Sequence, residues 1–456
     1  IKVVKLISLI KQELNSKITV KEIFEAKTIR KIAEILEENN NKSKSTEGRL
    51  IVTKQEFLSV QDQKLSVGQK TYRQLPVNSY SNVKIAFRLK EGIDEKRLAK
   101  AIIRVVQHQE ILRTKIFDNY QVVDDGNLAI THNNVNRSDY FAHRFDLTKE
   151  IPIKANIYEG IFTCVIDHVA FDGWSTSLFL SEIESAYFEK GLPNLPFQFK
   201  DFSKCQSEFL SSSKKSKQIE FWKEKLSEYM PIKFGDKKES KNKSVGGGDE
   251  YLHLDNHLYQ RIIDITKEGE HTLHDILLGT FYLLLKKISG DEIVSIAIPT
   301  VNRSVEGTEN LIGSFINQFL LPMRVSGDDT VELFLNRLSE TVLAAQDNQD
   351  IPLETVIQEL GIKLGGNSVY FGIQGFKGEA LKNSQIFEPI SEMNQQSVKD
   401  AFCDLTIFVW GQDINFNYNS REFSEERIEE IKRIYEDVLK KIVNNFDYKI
   451  KEIIRD

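Results

Sequence analysis

A chain of 456 residues has room for about three ordinary domains or two large ones, and 40% apolar with 28% charged residues excludes disorder of the whole. The 61 basic and 67 acidic residues leave a net charge of −6, without the basic excess that a nucleic-acid binder usually carries. Three widely separated cysteines, Cys164, Cys205 and Cys403, exclude a disulfide scaffold and a clustered thiolate metal site, and make a reducing cytosol the simplest home.

The chain opens on Ile-Lys-Val-Val, with no initiator Met and no secretory pattern, and reads as the interior of a longer polypeptide. Apolar residues at 3, 6, 7, 10 and 14 predict a helix over Ile1–Leu14. Thr19 and Glu22 have capping-box spacing and open a short turn, Val20–Glu25. Thr28 starts another helix, with Ile29, Ile32, Ala33 and Leu36 expected inward. Helices this few and short bury too little surface to stand alone. Glu37–Arg49 (EENNNKSKSTEGR) is polar and unpatterned, a flexible linker that puts the boundaries near 1–38 and 39–50.

From Ile51 strands alternate with helices. Val83–Leu89 alternates as a strand, and Asp94 caps a helix over Glu95–Gln109 with Leu98, Ile102 and Val105 on one face. Gly160–His168 is a strongly apolar strand; Ser177–Phe188 and Gln206–Glu228 read as helices. Gly235–Asp249 (GDKKESKNKSVGGGD) is a solvated stretch and marks a boundary. The alternation restarts with a helix over Thr272–Ile288, whose apolar run Ile276–Leu285 is far short of the roughly 20 residues a membrane span needs. A strand at Glu292–Pro299, a helix at Thr330–Gln346 and a strand at Asp413–Tyr418 follow. The last helix starts from Ser424, with Ile428, Ile431, Tyr435, Val438 and Ile442 at 3-4 spacing. The pattern predicts an α/β (α+β) fold of two mixed lobes, 51–234 and 250–456, joined by a loop at 235–249.

Three segments could carry chemistry. Ile166-Asp-His-Val-Ala-Phe-Asp-Gly-Trp-Ser175 follows the apolar strand. Strand alternation sends Phe162, Cys164, Ile166 and His168 to one face and Thr163, Val165 and Asp167 to the other, so Asp167 and His168 should not share a pocket. Asp172 and Gly173 lie in the turn, and Ser175 can cap the next helix. The second segment is Ile298-Pro-Thr-Val-Asn-Arg-Ser304 with Asn310–Phe319, where Arg303 leaves a strand end and Gly313 permits close backbone approach. The third is His108-Gln-Glu-Ile-Leu-Arg-Thr114 at a helix end, with Arg113 near the C-terminal dipole. Each segment alone also fits an ordinary structural role. No zinc, nucleotide or flavin motif stands out.

In order, Leu65-Ser-Val-Gly-Gln69, His108–Thr114, Asp167–Ser175, Phe199-Lys-Asp-Phe202, Phe221-Trp222, Pro299–Ser304, Ile312–Asn317 and Asp404-Leu-Thr406 closely resemble the condensation domains of non-ribosomal peptide synthetases, from about Leu50 to the C-terminus. The first 38 residues resemble the C-terminal part of a peptidyl carrier domain, and FEAKTIRKIAEIL is similar to the last carrier helix. The resemblance implies two chloramphenicol-acetyltransferase-like lobes in a V, and a reaction in which an upstream carrier-bound thioester is attacked by the α-amine of a downstream aminoacyl thioester. It further implies 4'-phosphopantetheine, covalently held on carrier domains, with the modified Ser expected just before Ile1. The partners it implies are donor and acceptor carrier domains and adjacent adenylation domains.

His168 matches the second His of the family's HHxxxDG motif and would orient or deprotonate the amine; Gly173 would turn a backbone N–H toward the oxyanion. Asp172 would be structural, paired with Arg303 as first choice and Arg113 as second. Trp174, Ser314 and Asn317 are expected along the substrate tunnel. The family's first His is Asp167 here, and Asp167, Asp172 and Ser175 also fit the DxxxxDxxS pattern of heterocyclization domains. A non-catalytic docking or gating module is the other alternative. Cys205-Gln206 stands where Trp-Gln is usual, and the segment after Gln69 is shortened.

Overall fold

The computed structural model describes residues 28–41, 48–74, 81–234, 246–269, 271–365, 368–374, 381, 383–390 and 400–455, and ten positions among 1–27: Val3, Leu6, Ile7, Ile10, Glu13, Leu14, Ile18, Glu22, Ile23 and Ala26. All ten except Ile18 are helical. The cap expected at Thr19 lies outside the described residues. Ile10, Ile18, Ile23 and Leu36 form a small apolar cluster with Val3, Ile7, Ile32 and Ile35, separate from the main core.

Helix α1 (Ile29–Asn41) starts after Thr28, whose Oγ1 accepts the Lys31 N–H. Leu36 is buried and Ile32 and Ile35 are partly buried against the cluster, whereas Ile29 and Ala33, expected inward, lie off that stripe and are exposed. The helix runs to Asn41, five residues into the segment expected to be linker. Residues 48–50 are docked: Gln218 Nε2 donates to Gly48 O and Asp350 Oδ2, and Leu50 N–H donates to Asp350 Oδ2.

The first sheet contains β1 (Asn82–Leu89), β2 (Ile130–Thr131), β3 (Ile153–Tyr158) and β4 (Ile161–Asp167). Helix α2 (Val67–Gln74) precedes β1, and α3 (Glu95–His108) follows it, capped by Asp94 on the Lys96 and Arg97 N–H groups. After β4 come α4 (Gly173–Tyr187), α5 (Phe199–Ser211) and α6 (Ser216–Lys225). The single helix expected over 206–228 is therefore broken. Its Ser211-Ser212-Ser213 run offers side-chain oxygens that compete with helical pairing, and Ser212 Oγ accepts the Lys214 N–H.

The second sheet has the order β5 (Gly247–His253), β11 (Asp413–Asn419), β10 (Leu405–Trp410), β8 (Val369–Ile373), β6 (Ile293–Thr300) and β7 (Asn317–Arg324). Helices α7 (Leu273–Ser289), α8 (Val331–Asp347), α9 (Leu353–Leu360) and α10 (Glu425–Asn444) belong to this lobe; the buried Tyr435 of α10 donates to Leu277 O of α7. Residues 247–249, expected in the inter-lobe loop, are strand, while 235–245 lie outside the described residues. Gly248 suits that strand because the Tyr418 ring occupies the place of a Cβ.

One strand changes the division of the chain. β9 (Phe387–Pro389) pairs antiparallel with Phe87–Leu89 of β1, so the first sheet runs β9–β1–β4–β3–β2 and includes a piece of the C-terminal half. Glu184 of α4 anchors the approach, accepting from Ser384 Oγ and from the Gln385 and Ile386 N–H groups. A three-residue edge strand carries too little alternation to be read from sequence. One apolar core continues through both lobes. Among the described residues no helix is long and apolar enough to cross a membrane.

Candidate active site

The junction between lobes is built around Arg303. It follows β6 after Asn302, which holds a left-handed φ of 49°. The side chain enters the opposite lobe, where Nη2 lies 3.0 Å from both Asp172 carboxylate oxygens. Nη1 donates to the Thr308 and Leu311 carbonyls. The guanidinium lies 4.2 Å from the Phe315 ring centroid. Burial lowers the Arg303 pKa from its usual value and the Asp172 charge opposes this, so the cation survives by pairing. Arg113, the second choice, is elsewhere: its Nη1 donates to Asp124 O at 2.8 Å.

Asp172 does three things at once. It is the N-cap of α4, accepting the Ser175 N–H at 2.8 Å. It accepts the Phe315 N–H from the other lobe at 3.1 Å. It also carries the counter-charge to Arg303. Ser175 Oγ lies 2.7 Å from Asp172 Oδ1 and accepts the Gly313 N–H at 3.1 Å. Gly313 has no room for a side chain, since the Phe199 ring fills the place of its Cβ.

β4 stops just before this knot. The His168 N–H donates to Ser81 O at 2.9 Å, and Ala170 and Phe171 turn back onto the carbonyls of Asp167 and His168. His168 is partly exposed. Its ring stacks on Tyr72 of α2, with centroids 4.4 Å apart and planes 13° apart. Its Nδ1 is buried without a hydrogen-bond partner among the described residues. Burial lowers the His168 pKa, with the Asp172 charge opposing, so the imidazole is neutral at neutral pH and able to take a proton. Gly173, also partly exposed, is the first residue of α4, where an N–H has no acceptor within the helix.

Asp167 shares neither ring nor carboxylate contact with His168. Its Oδ1 accepts the Val169 N–H at 2.9 Å, and burial pushes its carboxyl up to about 6. The two faces of β4 separate as alternation requires: Phe162, Cys164 and Ile166 enter the main core, while Val165 packs with Ala86 and Phe141.

The three residues expected along a tunnel are all buried. Trp174 is buried, and its Nε1 donates to Glu309 O across the junction. Asn317 gives both amide hydrogens to the Gln349 and Ile351 carbonyls. Those polar groups are committed to holding backbone and offer nothing to a substrate. Ser314 is buried, and its Oγ has no partner among the described residues.

Gln109 is a junction residue that reading by residue type missed, although its segment stood out. Its Nε2 donates to Glu182 Oε1 at 2.7 Å and Asn310 O at 2.9 Å, and its Oε1 accepts the Ile312 N–H. Glu182 is buried with Oε2 unpartnered among the described residues, and burial pushes its carboxyl up to about 7. Tyr72 was also missed. It lies three residues beyond the Leu65–Gln69 segment, and nothing in one sequence ties it to His168. Among the described residues no metal-ligand set of three His, Cys, Asp or Glu side chains converges.

A family model described as "Condensation domain" matches residues 69–454. Gramicidin S synthase 2 from Aneurinibacillus migulanus is 25% identical over 493 residues, covering 99% of this chain and 11% of that protein. The chain thus spans about a tenth of the curated relative it matches. Among solved structures, the complex of the X-domain and OxyB from teicoplanin biosynthesis aligns with a TM-score of 0.71 at 17% identity, covering 89% of this chain and 98% of that one. The condensation domain from Monacolin K polyketide synthase MokA gives 0.68 at 18% identity, covering 85% and 98%. At these identities the structural matches establish a shared fold of two chloramphenicol-acetyltransferase-like lobes.

Proposed function

Because the chain belongs to the condensation domain family of the non-ribosomal peptide synthetases, whose members form amide bonds, we propose that it joins a carrier-held acyl or peptidyl thioester to the α-amine of an aminoacyl thioester on a second carrier. The observation that carries this reading is His168: a neutral, partly exposed imidazole at a strand end, beside the clamp that fixes one lobe to the other. Both acyl groups arrive on 4'-phosphopantetheine arms, which belong to the incoming carriers and are substrate handles here.

In this reading the amine nitrogen attacks the thioester carbonyl carbon. Its proton passes to His168 Nε2 as the C–N bond forms, and the C–S bond breaks to release a thiol that recovers the proton. Holding two tethered partners together supplies much of the rate. Gly173 offers its N–H to the developing oxyanion. Asp172 and Arg303 keep the His168 loop in register without touching substrate. The heterocyclization pattern draws no support from Ser175, whose Oγ is committed to Asp172 and Gly313.

Residues 1–38 belong, in this reading, to a donor-side carrier; the partners are that carrier, an acceptor carrier and neighbouring adenylation domains, in the cytosol. The test is mass spectrometry of products from defined donor and acceptor thioesters. A linear amide is expected. A dehydrated ring from a cysteinyl acceptor would replace this reading with heterocyclization.

A further inference from the structure

Tyr72 meets His168 in a geometry that has a function. In a stack only 13° from parallel, the Tyr72 hydroxyl lies above the imidazole, 3.5 Å from Nε2. In the tautomer with its proton on Nδ1, the Nε2 lone pair lies in the ring plane. A hydroxyl above that plane makes no hydrogen bond of useful strength, so the lone pair is left for a substrate. Burial pushes the phenol pKa well up, and the charges of Asp172, Glu354 and Asp167 push it the same way, so Tyr72 presents a neutral π face.

Helix α2 is held at both ends, which fixes that face. Gln206 Oε1 accepts the Val67 N–H at 3.0 Å, and Gln69 Nε2 donates to Gln121 Oε1 at 3.1 Å. Past Tyr72, Arg73 donates to Phe117 O at 2.8 Å and pairs with Asp118 at 2.9 Å.

Resting on the reading of His168 as the base, we propose that Tyr72 is a positioning residue for this reaction. Its ring fixes the imidazole plane, keeps the Nε2 lone pair free, and favours the imidazolium formed when Nε2 takes the amine's proton. The proton moves from amine nitrogen to Nε2, and Tyr72 is unchanged through the step. The ring acts; the hydroxyl does not.

The experiment compares Tyr72→Phe, Tyr72→Leu and Tyr72→Gln, each with native His168 and with His168→Ala, in saturation kinetics with defined donor and acceptor thioesters. Tyr72→Phe should keep kcat within about threefold, while Leu and Gln each lower it about tenfold with KM within about twofold. In the His168→Ala background none should lower the residual rate further, because the residue through which Tyr72 acts is gone. Two non-aromatic variants are used so that a folding failure of one leaves the other informative. Phe as damaging as Leu would overturn the proposal by assigning the effect to the hydroxyl. Equal losses with and without His168 would overturn it by making Tyr72 a fold residue only. A fully active His168→Ala protein would instead overturn the base assignment. The stack is then read alone by NMR of histidine-labelled protein. The His168 ring protons should carry a ring-current shift that survives Phe and disappears with Leu; no change with Leu would overturn the stack as well.

Discussion

Replacing Asp172 by Asn tests the clamp most cleanly. The variant keeps the side-chain shape but one acceptor oxygen in place of two, so either the Ser175 or the Phe315 N–H loses its partner, and it leaves the Arg303 guanidinium without a counter-charge. Both residues are 2% exposed, so water cannot take over. An uncompensated buried charge costs about 3–5 kcal/mol, a large share of a total stability of about 5–15 kcal/mol. With an unfolding entropy of about 2.1 cal/mol/K per residue over 456 residues, 4 kcal/mol lowers Tm by about 4 °C. Thermal melting followed by circular dichroism, with urea unfolding beside it, measures this. Adding Arg303→Met to Asp172→Asn removes the uncompensated charge while leaving the residue that caps α4 polar, and should recover part of the loss. A Tm for Asp172→Asn within 1 °C of the native protein, at ~1 kcal/mol or less of cost, would refute the clamp as a stabilising element.

The His168 pKa lies below its usual 6.5, so the amide-forming rate should rise with pH, reach half its plateau below 6.5 and stay level through neutrality; a midpoint above 7 would contradict a neutral base with a lowered pKa. Asp167→Asn should keep turnover within about tenfold, near 1.4 kcal/mol, when donor and acceptor thioesters are supplied, because its carboxyl holds the Val169 N–H on the other side of the strand end. Glu182 titrates near 7 when folded and near 4.5 otherwise, so the folded state binds its proton more tightly and stability falls as pH rises between those values. Glu182→Gln should therefore raise stability at pH 8 by up to about 3 kcal/mol and flatten that dependence in urea titrations at several pH values. Gly313→Ala should cost about 1–3 kcal/mol in the same unfolding assay, since Phe199 must move to admit the methyl group.

The sequence made legible the features that repeat or that cap. Asp94, Thr272, Thr330 and Ser424 start their helices through side-chain bonds to backbone N–H groups, and each could be read from residue type and the apolar period that follows. The two faces of β4, and hence the separation of Asp167 from His168, follow from alternation alone. The Asp172–Arg303 pairing came through order and resemblance, since 131 positions separate the partners. What was not legible depended on contacts between distant segments. β9 is three residues long and owes its strand character to β1. Trp174 and Asn317 have side chains that suit a tunnel wall, but Glu309, Gln349 and Ile351 carbonyls claim them first. Tyr72 has no periodic or motif signal pointing to His168; only the anchoring of α2 brings the rings together.

The central claim is that His168 carries proton transfer in an amide-forming reaction between two carrier-held thioesters. The most direct measurement is the rate of amide product, followed by mass spectrometry, for the native protein and His168→Ala with the same pair of loaded carriers. The native protein should give a linear amide, and His168→Ala should slow its formation by about 10²-fold or more with Tm unchanged. A folded His168→Ala protein that forms the amide at the native rate would contradict the claim.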